Sequence, residues 1–308
     1  MRTHSHWTGL EPRDRGASVA MGNFDGIHLG HQAVIGMARR PGAPLGIVTF
    51  EPHPRQFFAP SAPAFRLMNA EARAHRLEKL GVEELYELPF DGRLAGMAAE
   101  EFVADVLVAG LGVTHVTVGA DFCFGKGRMG TVETLKSLGA RHGFGVTIAD
   151  LVRFQGLEVS STNIRTALAE GRPRDAQAML GHWHRIEGEV VHGEKRGREL
   201  GYPTANMGVE GLHLPRLGVY AVKVDVLTGP QAGSYGGAAS LGVRPMFGEN
   251  QPNLESFIFD FKGDLYGQHL SVAFVDYLRP EMKFDGLPAL MAQMAADCDR
   301  ARAILARA

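Results

Sequence analysis

The pattern of apolar residues changes once along the chain, near residue 182, and this change constrains the fold more than any other feature. Before it, short apolar runs alternate with longer segments of helical periodicity, whereas afterwards β-rich runs follow one another between Gly, Pro and Asn turns. Alternating strands and helices are typical of a parallel sheet covered on both faces, and successive short strands are typical of an antiparallel barrel or sandwich. The 308 residues therefore predict two domains, 1–182 and 183–308.

Short apolar runs in the first half predict five buried strands, namely Ser18–Met21, Leu45–Phe50, Leu85–Leu88, Val113–Val118 and Val146–Ala149. Helical periodicity predicts helices at His31–Arg40, Asn69–Leu80, Ala98–Ala109, Thr131–His142, Thr162–Ala169 and Asp175–Leu180. Strands of the second half are predicted at Ile186–Val191, Val219–Leu227, Ser234–Leu241, Leu254–Phe261 and Leu270–Tyr277, followed by a helix over Gly286–Ala306. We therefore expect an α/β domain with a parallel sheet, then an antiparallel β-barrel domain with a terminal helix.

The composition argues against several classes of protein. Hydrophobic residues make up 45% and charged residues 21%, and the formal net charge of −2 lacks the basic excess of a nonspecific nucleic-acid binder. Two cysteines, Cys123 and Cys298, are too few for a disulfide framework or a thiolate zinc site. No apolar run reaches the roughly 18 residues of a membrane span, and the first residues lack an apolar signal core. We expect a cytoplasmic protein, monomeric or a weak homo-oligomer, with no nucleic-acid and no membrane partner.

The segment Gly22-Asn-Phe-Asp-Gly-Ile-His-Leu-Gly-His31 lies between the first predicted strand and the first predicted helix. His28 and His31 share one face where the helix begins, and a helix N-terminus binds phosphate through its unpaired N–H groups. Two imidazoles that can take a proton would hold and neutralise a triphosphate here. One alternative is that both histidines merely cap a helix. A zinc site is a weaker alternative, because only His53 is a conceivable third ligand.

A second candidate phosphate site follows the last predicted strand of the first domain. Ser160, Ser161 and Thr162 place three hydroxyl groups at the start of a predicted helix, and Arg165 adds a cation one turn later. The simpler interpretation is a helix N-cap with a surface arginine. The functional interpretation is a phosphate site that faces the two histidines, with Arg165 on the transferring phosphate.

The segment Gly125-Lys-Gly-Arg-Met-Gly130 matches the glycine pattern of dinucleotide-binding proteins, and Asp150 follows at a suitable distance. That pattern should begin directly after a strand, whereas Gly119–Phe124 separate it from the predicted strand that ends near Val118. The sequence therefore disfavours a nicotinamide-dependent oxidoreductase.

In the second half, the chain from Gly188 to Asn206 combines glycines, cations and small polar residues. Its glycines would let a loop fold over a polyanion that its basic side chains attract; these residues are Gly193, Lys195, Arg196, Gly197, Arg198 and Gly201. Thr204 and Asn206 follow Pro203 two residues apart, so in an extended segment they point the same way and offer oxygen ligands to Mg²⁺. The alternative is a basic β-turn followed by an edge strand.

Four segments of the first half resemble the signatures of bacterial FAD synthetases, in the same order. They are Gly22–His31, Thr49-Phe-Glu-Pro-His-Pro54, Gly119-Ala-Asp-Phe-Cys-Phe-Gly125 and Ser160-Ser-Thr-Asn-Ile-Arg165. Segments of the second half resemble riboflavin kinases in the same way: Gly188–Asn206, Leu214–Tyr220, Leu254–Phe261, Asp264–Gly267 and Leu278–Phe284. Together they resemble the bifunctional bacterial riboflavin kinase/FAD synthetase family.

The resemblance implies a Rossmann-like nucleotidyltransferase domain in residues 1–182 and a riboflavin kinase barrel in residues 183–308. It implies that riboflavin is phosphorylated to FMN with ATP and Mg²⁺, and that FMN is then adenylylated with ATP to give FAD and pyrophosphate. Phosphorylation of a primary alcohol calls for a general base. The resemblance assigns this role to Glu255, an acid in an otherwise apolar strand segment. An outward-facing glutamate without a catalytic role is the alternative.

The resemblance assigns roles to further residues. His28, His31 and Arg165 would catalyse adenylyl transfer, and Thr204 and Asn206 would bind the metal. The residues expected to bind ATP or its phosphates are Gly22, Phe24, Gly30, Ser160, Ser161, Thr162, Gly193, Arg196, Gly197 and Arg198. The residues expected to position flavin or nucleotide are Asn23, Asp121 and Phe122.

Three residues depart from the riboflavin kinase pattern in segments that concern the flavin pocket. Ser240 stands where the family often has Asn, Met246 where Thr is usual, and Phe257 where His is frequent. The proposed metal ligands and the proposed base are in place. A rival function from another class is a flavin- or nucleotide-sensing regulator that has kept both folds without the chemistry. Tight flavin binding without ATP turnover would distinguish it.

Overall fold

The computed structural model describes residues 1–150, 152–154, 156–193, 201–246 and 249–308. The chain divides into two compact units, of which one comprises Met1–Pro63 and Arg73–Val159, and the other Ala64–Ala72 and Ser160–Ala308. Compactness thus groups residues 160–182 with the second unit. The predicted boundary between residues 182 and 183 separates the two expected domains by function rather than by compactness, and it stays a prediction.

The first unit is built on a six-stranded parallel sheet with the order β1-β4-β3-β2-β5-β6. Its strands are β1 (Arg2–His4), β2 (Ser18–Met21), β3 (Leu45–Glu51), β4 (Glu84–Pro89), β5 (His115–Gly119) and β6 (Gly145–Ala149). The chain proceeds from β2 through β3 to β4, and then adds β5 and β6 on the other side of β2. In such sheets a ligand crevice lies at the carboxyl ends of the strands where the order reverses, which is here between β2 and β5.

Helices connect these parallel strands, and one of them differs from the predicted α-helix. The helices are α1 (Leu29–Met37), α2 (Pro54–Phe58), α3 (Ala70–Lys79), α4 (Gly92–Gly96), α5 (Ala99–Glu101) and α6 (Val132–His142). Residues Phe102–Gly110 continue α5 as a π-helix, at whose end the N–H of Leu111 donates to the carbonyl of Val106 at 2.8 Å. A Cβ at Gly110 would lie 2.5 Å from the carbonyl oxygen of Trp7. The π-helix therefore ends where its backbone approaches the backbone of Trp7 closely. A short hairpin, β7 (Arg153–Phe154) and β8 (Leu157–Glu158), follows β6.

β1 is an edge strand that the sequence analysis did not predict. It pairs with β4 in parallel, with Thr3 opposite Leu85. Polar contacts hold its side chains, because Arg2 forms an ion pair with Glu84 and His4 Nε2 lies 2.9 Å from Glu84 Oε2. Polar pairing of this kind leaves no hydrophobic period in the sequence, which is why the strand was missed.

The second unit is built on a six-stranded antiparallel sheet with the order β10-β13-β12-β11-β14-β9. Its strands are β9 (Arg185–Glu189), β10 (Thr204–Gly208), β11 (Gly218–Val226), β12 (Gly233–Met246), β13 (Glu249–Ile258) and β14 (His269–Arg279). Just after β9, the N–H of Val191 donates to the carbonyl of Asn206 on β10 at 2.9 Å, so the sheet is a nearly closed barrel. Each strand contributes to its apolar core, for example through Ile186, Met207, Val222, Leu241, Leu254 and Phe274.

Helices cover parts of this second unit. They include α7 (Ser161–Ala169), α8 (Pro173–Leu180) and the terminal α9 (Leu287–Leu305). Ala301 of α9 packs in a second apolar cluster with Phe259 and Leu278, and an ion pair of 2.8 Å joins Arg279 to Asp297. The strand residues of this cluster alternate along the chain with those of the barrel core, so their side chains point outward. Helix α9 therefore packs on the outer face of the barrel.

The predicted fold class is confirmed: a parallel α/β unit is followed by an antiparallel barrel with a terminal helix. The predicted strands all overlap observed ones, with boundaries that differ by a few residues. Among the described residues, the structure has no helix whose length and apolar character would suffice to cross a membrane.

Candidate active sites

The loop between β2 and α1 is a tight turn at the carboxyl end of β2. Phe24 and Ile27 adopt positive φ values of 51° and 43°, which are uncommon for residues with side chains. The N–H of Gly22 donates to the carbonyl of Val48 at 3.1 Å. The Thr49 hydroxyl, at 3.3 Å from the Asn23 carbonyl oxygen, ties the next residue of the turn to β3. Neighbouring strands therefore hold this loop at the edge where sheets of this kind bind ligands.

His28 caps helix α1 with its own ring. Its Nδ1 accepts the backbone N–H of His31 at 3.2 Å, so the neutral imidazole carries its proton on Nε2. The two rings stack with centroids 3.6 Å apart and an interplanar angle of 15°. A Cβ at Gly30 would lie only 3.1 Å from the His28 ring, so glycine accommodates this arrangement. The simple capping interpretation of His28 is therefore correct as geometry, and it leaves Nε2–H as the donor of that ring.

His31 differs from the expectation of two protonated imidazoles. Burial, and next the neighbouring His28, hold the pKa of His31 well below its usual 6.5, so its ring is neutral at pH 7. Its Nδ1 atom is inaccessible to solvent and has no hydrogen-bond partner among the described residues. The ring also makes an edge contact with Phe24, with centroids 5.3 Å apart. His31 can therefore offer hydrogen bonds to phosphate, but at neutral pH it does not supply a positive charge.

Two further motif segments reach the same edge of the sheet. Asp121 and Phe122 follow the end of β5, which is adjacent to β2. Asp121 is exposed, and the Phe122 ring stacks with Phe124 at a centroid distance of 5.9 Å. The segment Thr49–Pro54 lies at the end of β3, on the other side of β2. The carboxyl ends of three neighbouring strands therefore bring three sequence motifs of the first unit together.

The sequence analysis missed a group of aromatic side chains at this edge. Phe57 and Phe58 of α2 contact Phe90, which follows β4, at ring-centroid distances of 5.4 and 5.7 Å. Phe50 contacts Phe90 as well, at 5.8 Å. Phe58 is 68% exposed, which is unusual for a large apolar side chain. The available signal was a Phe pair directly after the Thr49–Pro54 motif.

Arg165 lies on α7, in the second compact unit. Its guanidinium donates to the carbonyl of Phe65 at 3.3 Å and to the Thr162 hydroxyl at 3.4 Å, and it lies 6.0 Å from the Phe65 ring centroid. The Ser160 hydroxyl caps α7 by accepting the N–H of Asn163 at 3.3 Å. The capping interpretation of Ser160 is thus correct, whereas Arg165 is held in one orientation by its neighbours.

Two weaker interpretations of the first half gain no support. The segment Gly125–Gly130 folds back on itself, since Phe124 and Gly130 exchange backbone hydrogen bonds of 3.0 and 2.9 Å, and α6 begins after it. It therefore lacks the strand–turn–helix context of a dinucleotide-binding loop. His53 caps α2, and its Nδ1 accepts the N–H of Arg55 at 3.0 Å.

In the barrel, strand register brings the proposed base beside a proposed metal ligand. Glu255 on β13 lies opposite Asn206 on β10 and opposite Ser240 on β12. The alternating residues Met207 and Leu254 point into the barrel core, so this polar set lies on the outer face. Glu255 therefore faces outward, as the alternative interpretation has it, and it shares that face with the polar side chains of Asn206 and Ser240.

The carboxamides on this face are nearly inaccessible to solvent. Asn206 is 8% exposed, and its Nδ2 donates to the backbone carbonyl of Thr204 at 3.3 Å. Asn253, which the sequence analysis did not single out, is 9% exposed and contacts both Asn206 and Glu255. Its position two residues before Glu255 was the available signal, because such residues share one face of a strand.

Gly193, which follows β9, lies directly against the side chain of Asn206. A Cβ at Gly193 would lie 2.6 Å from the Asn206 carboxamide, so this position has room for glycine alone. The donor set of Thr204 and Asn206 consists of neutral oxygens, which suit a hard cation that keeps several of its water ligands, such as Mg²⁺. The residues present therefore fit the metal that the sequence predicts.

The remaining predicted residues are placed as follows. Arg196, Gly197 and Arg198 lie outside the described residues, as does the side chain of Met246. Phe257, one of the departures from the family pattern, makes ring contacts with Tyr202 and Phe259 at 5.1 and 5.9 Å. Its aromatic ring therefore lies beside Thr204, which is its register partner on β10.

Each compact unit thus presents polar groups of a kind that bind phosphate or its metal ion, and the two sets differ in chemistry, as in proteins that transfer phosphate groups at two separate sites. Residues 10–163 match the family described as FAD synthetase, and residues 180–305 match the family described as riboflavin kinase. The chain is 42% identical to the bifunctional riboflavin kinase/FMN adenylyltransferase of Pseudomonas fluorescens over 302 residues, which cover 96% of each chain. It is 37% identical to the protein of the same name from Escherichia coli (strain K12), over 92% of this chain and 90% of that one.

The chain belongs to the family of bifunctional riboflavin kinase/FMN adenylyltransferases. The resemblance found in the sequence is therefore confirmed. Among solved structures, the fold is similar to that of a Streptococcus pneumoniae protein described as a macrolide-efflux protein. The two chains are 33% identical, with a TM-score of 0.83, and the match covers 98% of each.

Proposed function

We propose that this chain performs the two reactions of its family at the two sites described above. Riboflavin is phosphorylated by ATP to FMN on the outer face of the barrel. FMN then receives AMP from a second ATP at the carboxyl edge of the parallel sheet, and pyrophosphate leaves. The observation that supports this best is the presence of two unlike polar clusters, one in each compact unit, each within a matched family segment.

In the kinase reaction, Glu255 is the general base. Its carboxylate takes the proton of the primary hydroxyl of riboflavin while that oxygen attacks the γ-phosphorus of ATP, and ADP leaves. Thr204 and Asn206 would hold Mg²⁺, which would neutralise charge on the ATP phosphates. Gly193, together with Arg196, Gly197 and Arg198, covers the phosphates. Glu255 lies opposite Asn206 in strand register, which supports the assignment of base and ligand to one site.

The adenylyl reaction needs no base, because the phosphate of FMN is already an anion. Its oxygen attacks the α-phosphorus of ATP, and catalysis consists of alignment and of stabilising the charge that develops. His28 donates through Nε2–H, and the neutral ring of His31 stacks beside it. The N–H groups at the start of α1 add their dipoles, and Arg165 contributes a full positive charge to the same reaction.

The other predicted residues complete these sites. Gly22, Phe24 and Gly30 shape the turn that carries the histidines, and the hydroxyls of Ser160, Ser161 and Thr162 bind phosphate. Asn23, Asp121 and Phe122 position the flavin or the nucleotide. The aromatic group Phe57, Phe58 and Phe90 offers exposed ring faces at the same edge, and we assign it to the flavin ring of FMN.

The same proposal covers the setting in which the enzyme works. Its partners are the small molecules riboflavin, FMN and ATP, with neither nucleic acid nor membrane among them. The protein acts in the cytoplasm as a monomer or a weak homo-oligomer. Analytical ultracentrifugation with and without FMN tests the oligomeric state.

A product assay tests the proposed function directly. The protein is incubated with riboflavin, ATP and Mg²⁺, and FMN and FAD are separated by chromatography over time. We expect FMN to appear first and FAD to follow, with one ADP formed per FMN and one pyrophosphate per FAD. Tight flavin binding without ATP consumption would instead identify the regulator that shares these folds.

A further inference from the structure

A buried carboxamide lies between the two reactive groups of the barrel site. Asn253 is on β13 and shares one face of the strand with Glu255. Its Nδ2 lies 3.1 Å from Glu255 Oε1 and 3.5 Å from Asn206 Oδ1. The three side chains are therefore joined through a single nitrogen atom.

The chemistry of these groups determines which way each amide faces. A carboxylate and a carboxamide oxygen can only accept hydrogen bonds, whereas an amide nitrogen has two hydrogens to donate. The nitrogen of Asn253 must therefore face Glu255 and Asn206. Asn206 in turn donates its own Nδ2 to the carbonyl of Thr204 at 3.3 Å, which directs its Oδ1 towards Asn253. The chain of contacts runs from Thr204 through both amides to Glu255.

We propose that Asn253 is a positioning residue for phosphoryl transfer to riboflavin, and this rests on the function proposed above. One carboxamide holds Oδ1 of Asn206, the proposed Mg²⁺ ligand, and Oε1 of Glu255, the proposed base. A carboxamide oxygen has two lone pairs, so Asn206 Oδ1 can accept from Asn253 and still bind a cation. Asn253 itself touches neither ATP nor the hydroxyl of riboflavin; it sets the distance between the groups that do.

The surroundings of Asn253 leave little freedom for this arrangement. Asn253 is 9% exposed, and Gly242 is its register partner on β12. A Cβ at Gly242 would collide with the carboxylate of Glu281, so a further acid lies beside the strand pair. Thr204 and Asn206 face the site from β10, and Ser240 faces it from β12. The amide of Asn253 donates a hydrogen bond to Glu255, the proposed base, without adding a charge to the site.

Two variants and one control test the role of Asn253. Asn253→Ala removes the amide, and Asn253→Asp keeps its shape but replaces the donor with a second carboxylate beside Glu255. Ser256→Ala is the matched control, because Ser256 is a fully buried polar residue of the same strand whose side chain points to the opposite face. Riboflavin kinase kinetics, FMN adenylylation and calorimetric binding of ADP with and without Mg²⁺ are measured on the full-length chain.

We expect Asn253→Ala to lower kcat for FMN formation about 10- to 100-fold, the range found when groups that orient a metal ligand are lost. The Mg²⁺-dependent gain in ADP affinity should fall about 10-fold by the same principle, while KM for riboflavin stays within about two-fold. In Asn253→Asp, two adjacent carboxylates compete for one proton, so the acidic limb of the kinase pH profile should move to higher pH. Ser256→Ala and the adenylylation rate should match the wild type.

Wild-type Mg²⁺-dependent ADP binding, kcat and pH profile in both Asn253 variants would overturn the proposal. An equal loss in Ser256→Ala would overturn it too, since any change in a buried polar group of β13 would then have the same effect. A wild-type chain that forms no FMN would contradict the proposed function itself, and this result is read before any variant is made.

Discussion

The sheet edge of the first unit and the outer face of the barrel both bind a triphosphate in our proposal, yet they present opposite kinds of group. The sheet edge offers donors: the stacked rings of His28 and His31, of which His31 is neutral at pH 7, and the N–H groups of α1. The barrel face offers mainly acceptors, the oxygens of Asn206 and Glu255.

The difference follows from what each nucleophile requires. The phosphate of FMN arrives as an anion, so its site needs donors that hold two polyanions together. The hydroxyl of riboflavin is neutral, so its site needs a carboxylate to take a proton, and a carboxylate near ATP is tolerable only with a metal ion that cancels charge. In our proposal, the same co-substrate, ATP, is therefore bound by a donor site and by an acceptor site in one chain.

The largest effect that would separate the two sites is expected for Glu255→Gln, which keeps the size of the side chain but removes the base. The kcat for FMN formation should fall about 10²- to 10⁴-fold, the usual contribution of a general base. Conversion of added FMN to FAD should be unchanged. Chromatographic rates from riboflavin and from FMN measure both, and FMN formation at the wild-type rate would show that another group is the base.

A smaller effect is expected for His28, where capping and catalysis can be told apart. His28→Asn keeps a good N-cap for α1 but lacks Nε2–H, whereas His28→Ala loses both. Adenylylation should fall about 10²- to 10³-fold in both variants, as on loss of one donor to a developing charge. Only His28→Ala should lose stability, by about 1 kcal/mol.

Thermal unfolding and FAD formation measure the two properties of His28 separately, and FMN formation from riboflavin serves as the internal control. Full adenylylation activity in His28→Asn would mean that His28 acts through its cap alone.

The smallest effect concerns pH, and it tests whether His31 acts as a neutral ring. Because burial lowers the pKa of His31 well below 6.5, raising the pH from 7 to 8.5 removes no proton from this ring. The FMN phosphate, with a second pKa of about 6, is also ionised throughout. The rate of adenylylation should therefore change less than about two-fold over this range, since an ordinary imidazolium would lose roughly tenfold of its charged form per pH unit.

Rates of FAD formation from FMN at saturating ATP and Mg²⁺ provide this measurement. A steep decline of this rate above pH 7 would instead show that a protonated histidine takes part, as the sequence analysis expected.

Much of the fold could be predicted because its signals are local. The apolar runs of β2 and β3 and the helical period of α6 follow from burial on one or both faces, and the structure has these elements at the predicted positions. β1 could not be predicted, because its pairing depends on Glu84, which lies about eighty residues away. The π-helical segment Phe102–Gly110 likewise involves a distant residue, since the backbone of Trp7 approaches its last turn.

The candidate sites divide in the same way. His28, Arg165 and Glu255 could be named from motifs, because the spacing of reactive residues within a short segment survives in the sequence. The neutral state of His31 could not, since it results from burial by residues of several elements. The spacing of Asn253 places it on the same strand face as Glu255, but its contact with Asn206 depends on the register between β10 and β13, which no single segment contains.

The amino-acid sequence alone specified a parallel α/β unit, a barrel and the residue types for two reactions with ATP. It could do so because short-range periodicity encodes secondary structure and motif spacing encodes the reactive groups. Folding added the neutral state of His31, the tautomer of His28 and the carboxamide contacts that join Asn206, Asn253 and Glu255. These properties depend on desolvation and on hydrogen bonds between residues that are distant in sequence, and both exist only once the strands are paired.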